Sequence, residues 1–165
     1  MRVLIAISLL SLAACGPDMS PAEKAEEDAR GVAAVEQANN AEPPLEPVTL
    51  EPILYPDIER YDLFGMSCAY APGTSLGARV IARENDAFIK IGDEVIRLAA
   101  DPGSRELPMR SRTLYTGKEY SLRLEIGEDG TQSGIETVSY EGAAYLRDRW
   151  GRVVFEGAGT VQCGS

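Results

Sequence analysis

The stretch Tyr120-Ser121-Leu122-Arg123-Leu124-Glu125-Ile126 alternates strictly between apolar and polar side chains. Successive residues of a strand point to opposite faces. A period of two therefore puts Tyr120, Leu122, Leu124 and Ile126 on one face and Ser121, Arg123 and Glu125 on the other. A helix would scatter the same apolar residues around its circumference. The pattern predicts a half-buried strand, and its apolar face needs a further layer to cover it.

Turn signals recur along the same half of the chain. Asn85-Asp86 separates residues 79–83 from 87–91, and Gly92-Asp93 separates the latter from 95–99. Both read as hairpin connections. Gly117-Lys118 turns residues 113–116 into the alternating strand, and Glu128-Asp129-Gly130 is expected to end it. Residues 143–147 and 152–156 flank Asp148-Arg149-Trp150-Gly151 as another hairpin. Residues 160–163 read as a last strand. Short strands with tight turns and no strong helix among them predict an all-β domain. Its form is a small antiparallel sandwich or barrel of roughly 7–9 strands.

Before this domain the composition differs. Residues 16–48 are rich in Ala, Glu and Pro, contain no aromatic residue and carry eight acids against two bases. Such a segment buries too little apolar surface to offset its ordering entropy. It does hold a helix start, with Ser20 as N-cap, Pro21 in the first turn and Glu23 three residues after the cap. Glu26 and Arg30 are spaced to pair on one helix face. With Gly31 interrupting, the expectation is a disordered or partly helical tether, its helix running one to three turns, followed by extended Glu42-Pro43-Pro44-Leu45-Glu46-Pro47. The remaining residues, about 115 of them, suit one domain with one core.

The first residues carry an address. Met1-Arg2 supplies a positive charge, residues 3–12 are apolar apart from Ser8 and Ser11, and Ala13-Ala14 precede Cys15. Charge, apolar run and small residues are the three parts of a secretory signal. Leu12-Ala13-Ala14-Cys15 resembles the lipobox of bacterial lipoproteins. The resemblance implies that 1–14 is a signal peptide and that Cys15 is lipidated. On that basis 15–48 is a lipidated acidic tether and 49–165 is the β domain. Gly16, rather than Asp, follows the cysteine, which implies the outer membrane, facing the periplasm.

With Cys15 assigned to the lipid, two of the three cysteines remain, Cys68 and Cys163, 95 residues apart. An even pair in an exported protein reads as a disulfide. Two buried free thiols are the alternative. No metal site and no cofactor is expected, since the chain has no histidine and two cysteines do not fill a zinc site.

The absence of histidine also removes Ser-His-Asp and Cys-His catalysis. No phosphate-cradling loop or dinucleotide fingerprint is present. The net charge of −10 argues against a nucleic-acid surface. Glu136 and Glu141 lie near Tyr140 without marking a carboxylate pair. The expectation is a non-catalytic module whose partner is a periplasmic protein or glycan. Two loops are candidate contact surfaces. One spans residues 101–112 and carries Arg105, Arg110 and Arg112 around Leu107-Pro108-Met109. Its alternative role is a crossover whose Leu107 and Met109 cap one end of the core. The other is Arg149-Trp150-Gly151-Arg152, an interface anchor or a Trp folded back under a stacked arginine.

Several segments also resemble a group of uncharacterised bacterial envelope lipoproteins: Leu63-Phe64-Gly65-Met66-Ser67-Cys68, Leu98-Ala99-Ala100-Asp101-Pro102-Gly103-Ser104, Tyr115-Thr116-Gly117-Lys118-Glu119-Tyr120 and Gly159-Thr160-Val161-Gln162-Cys163. This implies the domain limits and a structural role for both cysteines, and no activity. Ser133-Gly134 is distantly similar to a motif of lipoprotein lysozyme inhibitors. That likeness implies, as the alternative function, inhibition of a cell-wall-degrading enzyme. The lysine-glycine motif expected near Phe155-Glu156-Gly157 is missing.

Overall fold

The computed structural model describes residues 19–165. The segment that resembles a lipobox, with Cys15, and the expected signal peptide lie outside the described residues. The chain divides between Pro43 and Pro44 into two units.

In the first unit, helix α1 runs over Pro21–Asn40. The Ser20 N–H donates to Glu23 Oε2 at 2.8 Å, and the Glu23 N–H donates to Ser20 Oγ at 3.3 Å. These bonds satisfy orphan donors of the first turn. Arg30 pairs with Glu26 at 2.7 Å. The helix is 20 residues long and buries none of them, so it outruns the expected one to three turns. The run is built largely from Ala, Glu, Gln and Lys, which are strong helix formers, and one exposed Gly31 weakens it by about 1 kcal/mol without breaking it. Helix ends just before Glu42-Pro43, where a following proline disfavours helical backbone.

The second unit is a closed antiparallel barrel of eight strands in sequential order. They are β1 (Ser67–Pro72), β2 (Val80–Ala82), β3 (Asp86–Ile91), β4 (Glu94–Ala100), β5 (Leu114–Thr116), β6 (Tyr120–Gln132), β7 (Val138–Asp148) and β8 (Val153–Gly164). The alternation of 120–126 is realised in β6. Leu122 and Leu124 are buried, Tyr120 and Ile126 pack against the same core, and Arg123 is exposed. Tyr70, Ile89, Leu98, Tyr115, Leu146 and Val161 fill the interior from the other strands. The barrel is a packed core rather than a channel.

Two expected breaks are absent. Glu128-Asp129-Gly130 does not end β6. The register with β7 shifts between Ile126 and Gly130, and the strand continues to Gln132. Four steps along β6 oppose two along β7, and the surplus is taken up in an irregularity that leaves the ladder intact on either side. The expected strands at 152–156 and 160–163 are not separate: residues 153–156 and 160–163 both belong to β8, which is 12 residues long. The glycines between them look like breakers, yet they admit a close neighbour. A Cβ on Gly159 would stand 2.1 Å from the Ala71 carbonyl oxygen.

β1 and β8 close the barrel, with Cys68 opposite Cys163. The two are joined by a disulfide and are fully buried.

Sequential up-and-down order sends the β1–β2, β3–β4, β5–β6 and β7–β8 turns to one end of the barrel. The β2–β3, β4–β5 and β6–β7 connections lie at the other. Residues 48–53 cross the first end. The Val48 N–H donates to Val154 O, Glu51 N–H to Lys90 O and Ile53 N–H to Ala78 O, each at 2.8 Å, and Leu50 enters the core. Val48, placed with the tether on composition, thus packs as part of the barrel unit. Helix α2 (Tyr55–Tyr61) then covers the outside of β2 and β3, where Ile53, Leu63, Ile81 and Phe88 form a second apolar cluster with Ile58 against it. Asp57 accepts from the Leu54 N–H at 3.0 Å and pairs with Lys90 at 2.8 Å. The helix stops at Asp62, in left-handed backbone.

Candidate functional site

The two arginine-bearing loops stand at opposite ends of the barrel, so they cannot form one surface. At the β7–β8 tip, Asp148 organises the turn. Its carboxylate accepts from the Trp150 and Arg152 backbone N–H groups, each at 2.9 Å, and from Arg152 Nε at 2.7 Å. Burial pushes this carboxyl up, but the donors from Arg152 and Trp150 outweigh it and hold it below the usual range. The guanidinium carbons of Arg149 and Arg152 lie 5.3 and 5.0 Å from the Trp150 ring centre. Arg149 also lies 3.6 Å from Glu119 on the neighbouring turn. Trp150 has both guanidinium groups beside its ring and keeps 43% of its surface exposed.

At the other end, the β4–β5 loop caps the core. Leu107 is buried in the main cluster and Met109 packs against it. Arg110 pairs with Glu84 at 2.6 Å, and Arg112 with Glu106 at 3.3 Å. Arg105 is exposed. Arg110 and Arg112 are thus engaged by different acids, Glu84 and Glu106. Capping, the alternative role of this loop, is the one its packing supports.

Two further carboxylates held in the ionised state, Asp86 and Asp57, serve the fold. Asp86 has a side chain only 6% exposed and lies 2.7 Å from Arg83 Nε and 2.9 Å from Arg97 Nε. Burial raises its carboxyl, while the hydrogen bonds and charge of Arg83 and Arg97 together lower it below the ordinary range. Lys90, with the Leu54 N–H, does the same for Asp57. Glu136 lies in the β6–β7 turn and accepts from Ser165 Oγ at 2.8 Å, while Glu141 is exposed on β7. In the same turn, Ser133 Oγ accepts from Ser139 Oγ at 2.8 Å.

A feature not foreseen lies around α2. Leu54, Tyr55, Phe64 and Met66 expose 55, 62, 54 and 55% of their surfaces. Tyr55 and Phe64 meet edge to face, with ring centres 6.4 Å apart. The signal was in the sequence, as large apolar residues crowded between tether and first strand without a period of two. The turn of α2 aims Ile58 inward and leaves Tyr55 to solvent, while Phe64 and Met66 follow the helix and are exposed in their turn. A small cleft of about 130 Å³ lies on the outer face of β1 and β8, lined by Ala69, Ala71, Leu76, Ala78, Thr160 and Gln162 and by no charged group.

Comparison with protein-family models, with curated proteins and with solved structures finds no match to this chain.

Proposed function

We propose that this chain is an envelope lipoprotein, held by a lipid on Cys15 to the outer membrane facing the periplasm. In this reading its barrel is a non-catalytic module that meets a protein or glycan partner. The observation that carries the binding role is the exposed group Leu54, Tyr55, Phe64 and Met66 on the flank of the barrel. Tyr55 and Phe64 are in ring contact within this group, and clustered exposed apolar residues are a mark of interaction sites. The disulfide supports the compartment, because such bonds persist in the periplasm and are rare in the cytosol. The barrel interior is filled by its own side chains, which leaves the outer surface for recognition.

The test is covalent capture in the native envelope, comparing the wild type with Phe64→Ala, Trp150→Ala and Arg110→Ala. A single dominant partner lost with Phe64→Ala supports the reading. Equal capture by all four proteins rules out the α2 flank. Cys15→Ser should release the chain from the membrane fraction, and retention would overturn the anchor. Lysozyme activity in the presence of residues 44–165 separates the alternative, inhibition of a cell-wall-degrading enzyme, from the leading one.

A further inference from the structure

We propose that the tip of the β4–β5 loop, residues 107–111, is a strained plug that gates chemical access to the Cys68–Cys163 disulfide. Both sulfurs are fully buried at the barrel end where this loop sits. The Pro108 carbonyl oxygen lies 3.3 Å from Cys68 Sγ, so the tip covers the bond directly.

The tip is built as a unit. An antiparallel bridge between Glu106 and Arg112 closes its base. The Leu107 N–H donates to Ser111 O at 2.8 Å, and the Ser111 N–H and Oγ donate to Pro108 O at 3.1 and 2.8 Å. Leu107 is the apolar latch, buried in the main core. The Arg112 N–H donates to the Tyr115 hydroxyl at 2.6 Å and pins the hinge on the C-terminal side.

Between latch and hinge the backbone is held against its preference. Met109 and Arg110 have φ values of 54° and 59°. Side chains other than glycine avoid this left-handed region, and two such residues in succession are maintained only by surrounding contacts. Strain of this kind lowers the free energy needed to open the tip locally, while the barrel wall stays paired. Elements that open locally come from the low-stability end of a structure.

Opening admits a dithiol reductant. Its thiolate attacks one sulfur of the disulfide, forming a mixed disulfide and releasing the other cysteine as a thiolate. The reductant's second thiol then displaces the first cysteine and closes its own disulfide. Two electrons and two protons pass to Cys68 and Cys163, and the reductant is oxidised. The β1–β8 ladder keeps its backbone pairing but loses its covalent lock.

The experiment is the rate of disulfide reduction in the folded, full chain by excess dithiothreitol, followed by thiol alkylation and intact mass. Arg110→Ala removes the ion pair with Glu84 but keeps the strain, whereas Arg110→Gly removes both. Reduction of Arg110→Gly should be about five- to tenfold slower than that of Arg110→Ala. Leu107→Ala should accelerate reduction about thirtyfold. Leu63→Ala destabilises the second cluster, on the outer wall, and should change the rate by no more than about twofold. Equal rates for the two Arg110 variants would overturn the strained plug. Acceleration by Leu63→Ala as large as that by Leu107→Ala would also overturn it, because the disulfide would then be reached through global unfolding.

Discussion

Cys68 and Cys163 face each other across the seam where β1 meets β8, with Cα atoms 4.0 Å apart and side chains joined. The bond therefore ties the first strand to the last at the place where the sheet becomes a barrel. It closes a loop of 95 residues, for which chain entropy alone gives about 4–5 kcal/mol. Cys163→Ser should lower the unfolding free energy by about 2–5 kcal/mol. Urea titration of oxidised wild type against the variant checks this, and coincident curves would show that the ladder closes the barrel unaided.

Asp86 should carry part of the acid sensitivity of the fold. Its carboxyl is held below the ordinary value of 3.8 in the folded state. A depressed carboxyl contributes stability that is fully present above the unfolded pKa and is lost as pH falls through the folded one. Asp86→Asn should cost about 2 kcal/mol near neutrality, since the hydrogen bonds from the guanidinium groups of Arg83 and Arg97, three in all, lose their anionic acceptor. The gap between wild type and variant should stay constant down to about pH 5 and shrink below about pH 4. Urea midpoints across pH 3 to 7 measure it, and a gap independent of pH would show that the ion pairs contribute nothing.

Tyr115 joins three segments through one hydroxyl. It donates to Arg83 O at 2.9 Å and accepts from the Arg112 N–H at 2.6 Å, and its ring is fully buried. Tyr115→Phe keeps the ring and leaves both groups without that partner. The expected loss is about 1–3 kcal/mol, with faster amide exchange at Arg112 than elsewhere on β5. Unchanged exchange at Arg112 would show that the hinge is held by other contacts.

Two glycines should respond in opposite directions to alanine. At Gly159 the new methyl would meet the Ala71 carbonyl oxygen at 2.1 Å, a backbone atom that yields only if the seam opens. A loss of about 3 kcal/mol or a failure to fold is expected. At Gly31 nothing lies within 4 Å, so Gly31→Ala should favour α1 by about 1 kcal/mol. Circular dichroism of a peptide covering residues 16–48 reads the second effect, and thermal unfolding of the full chain reads the first. A Gly159→Ala protein as stable as wild type would contradict the tight seam.

What the residues determined by themselves was local. Period-two patterning marked the buried face of β6, because side-chain direction along a strand follows from backbone geometry alone. Ser20, Pro21 and Glu23 marked the start of α1, because a capping box is closed within four residues. Gly92-Asp93 marked the turn between β3 and β4 for the same reason. With Cys15 set aside by the lipobox resemblance, Cys68 and Cys163 were left as the expected pair, and that pair closes the barrel. The tertiary structure decided everything that depends on residues far apart in the chain. Whether Glu128-Asp129-Gly130 ends a strand or sits in a bulge depends on β7 as its partner. Whether Gly159 breaks β8 depends on Ala71, a residue of β1. The separation of the Trp150 tip from the Arg110 loop follows from the parity of strands in a closed barrel. The exposure of Tyr55 and Phe64 arises because Ile58, Leu63 and Ile53 take the inward places over β2 and β3. Local propensities are settled by neighbours in sequence, whereas burial, closure and surface are settled by contacts that form only when the whole sheet does.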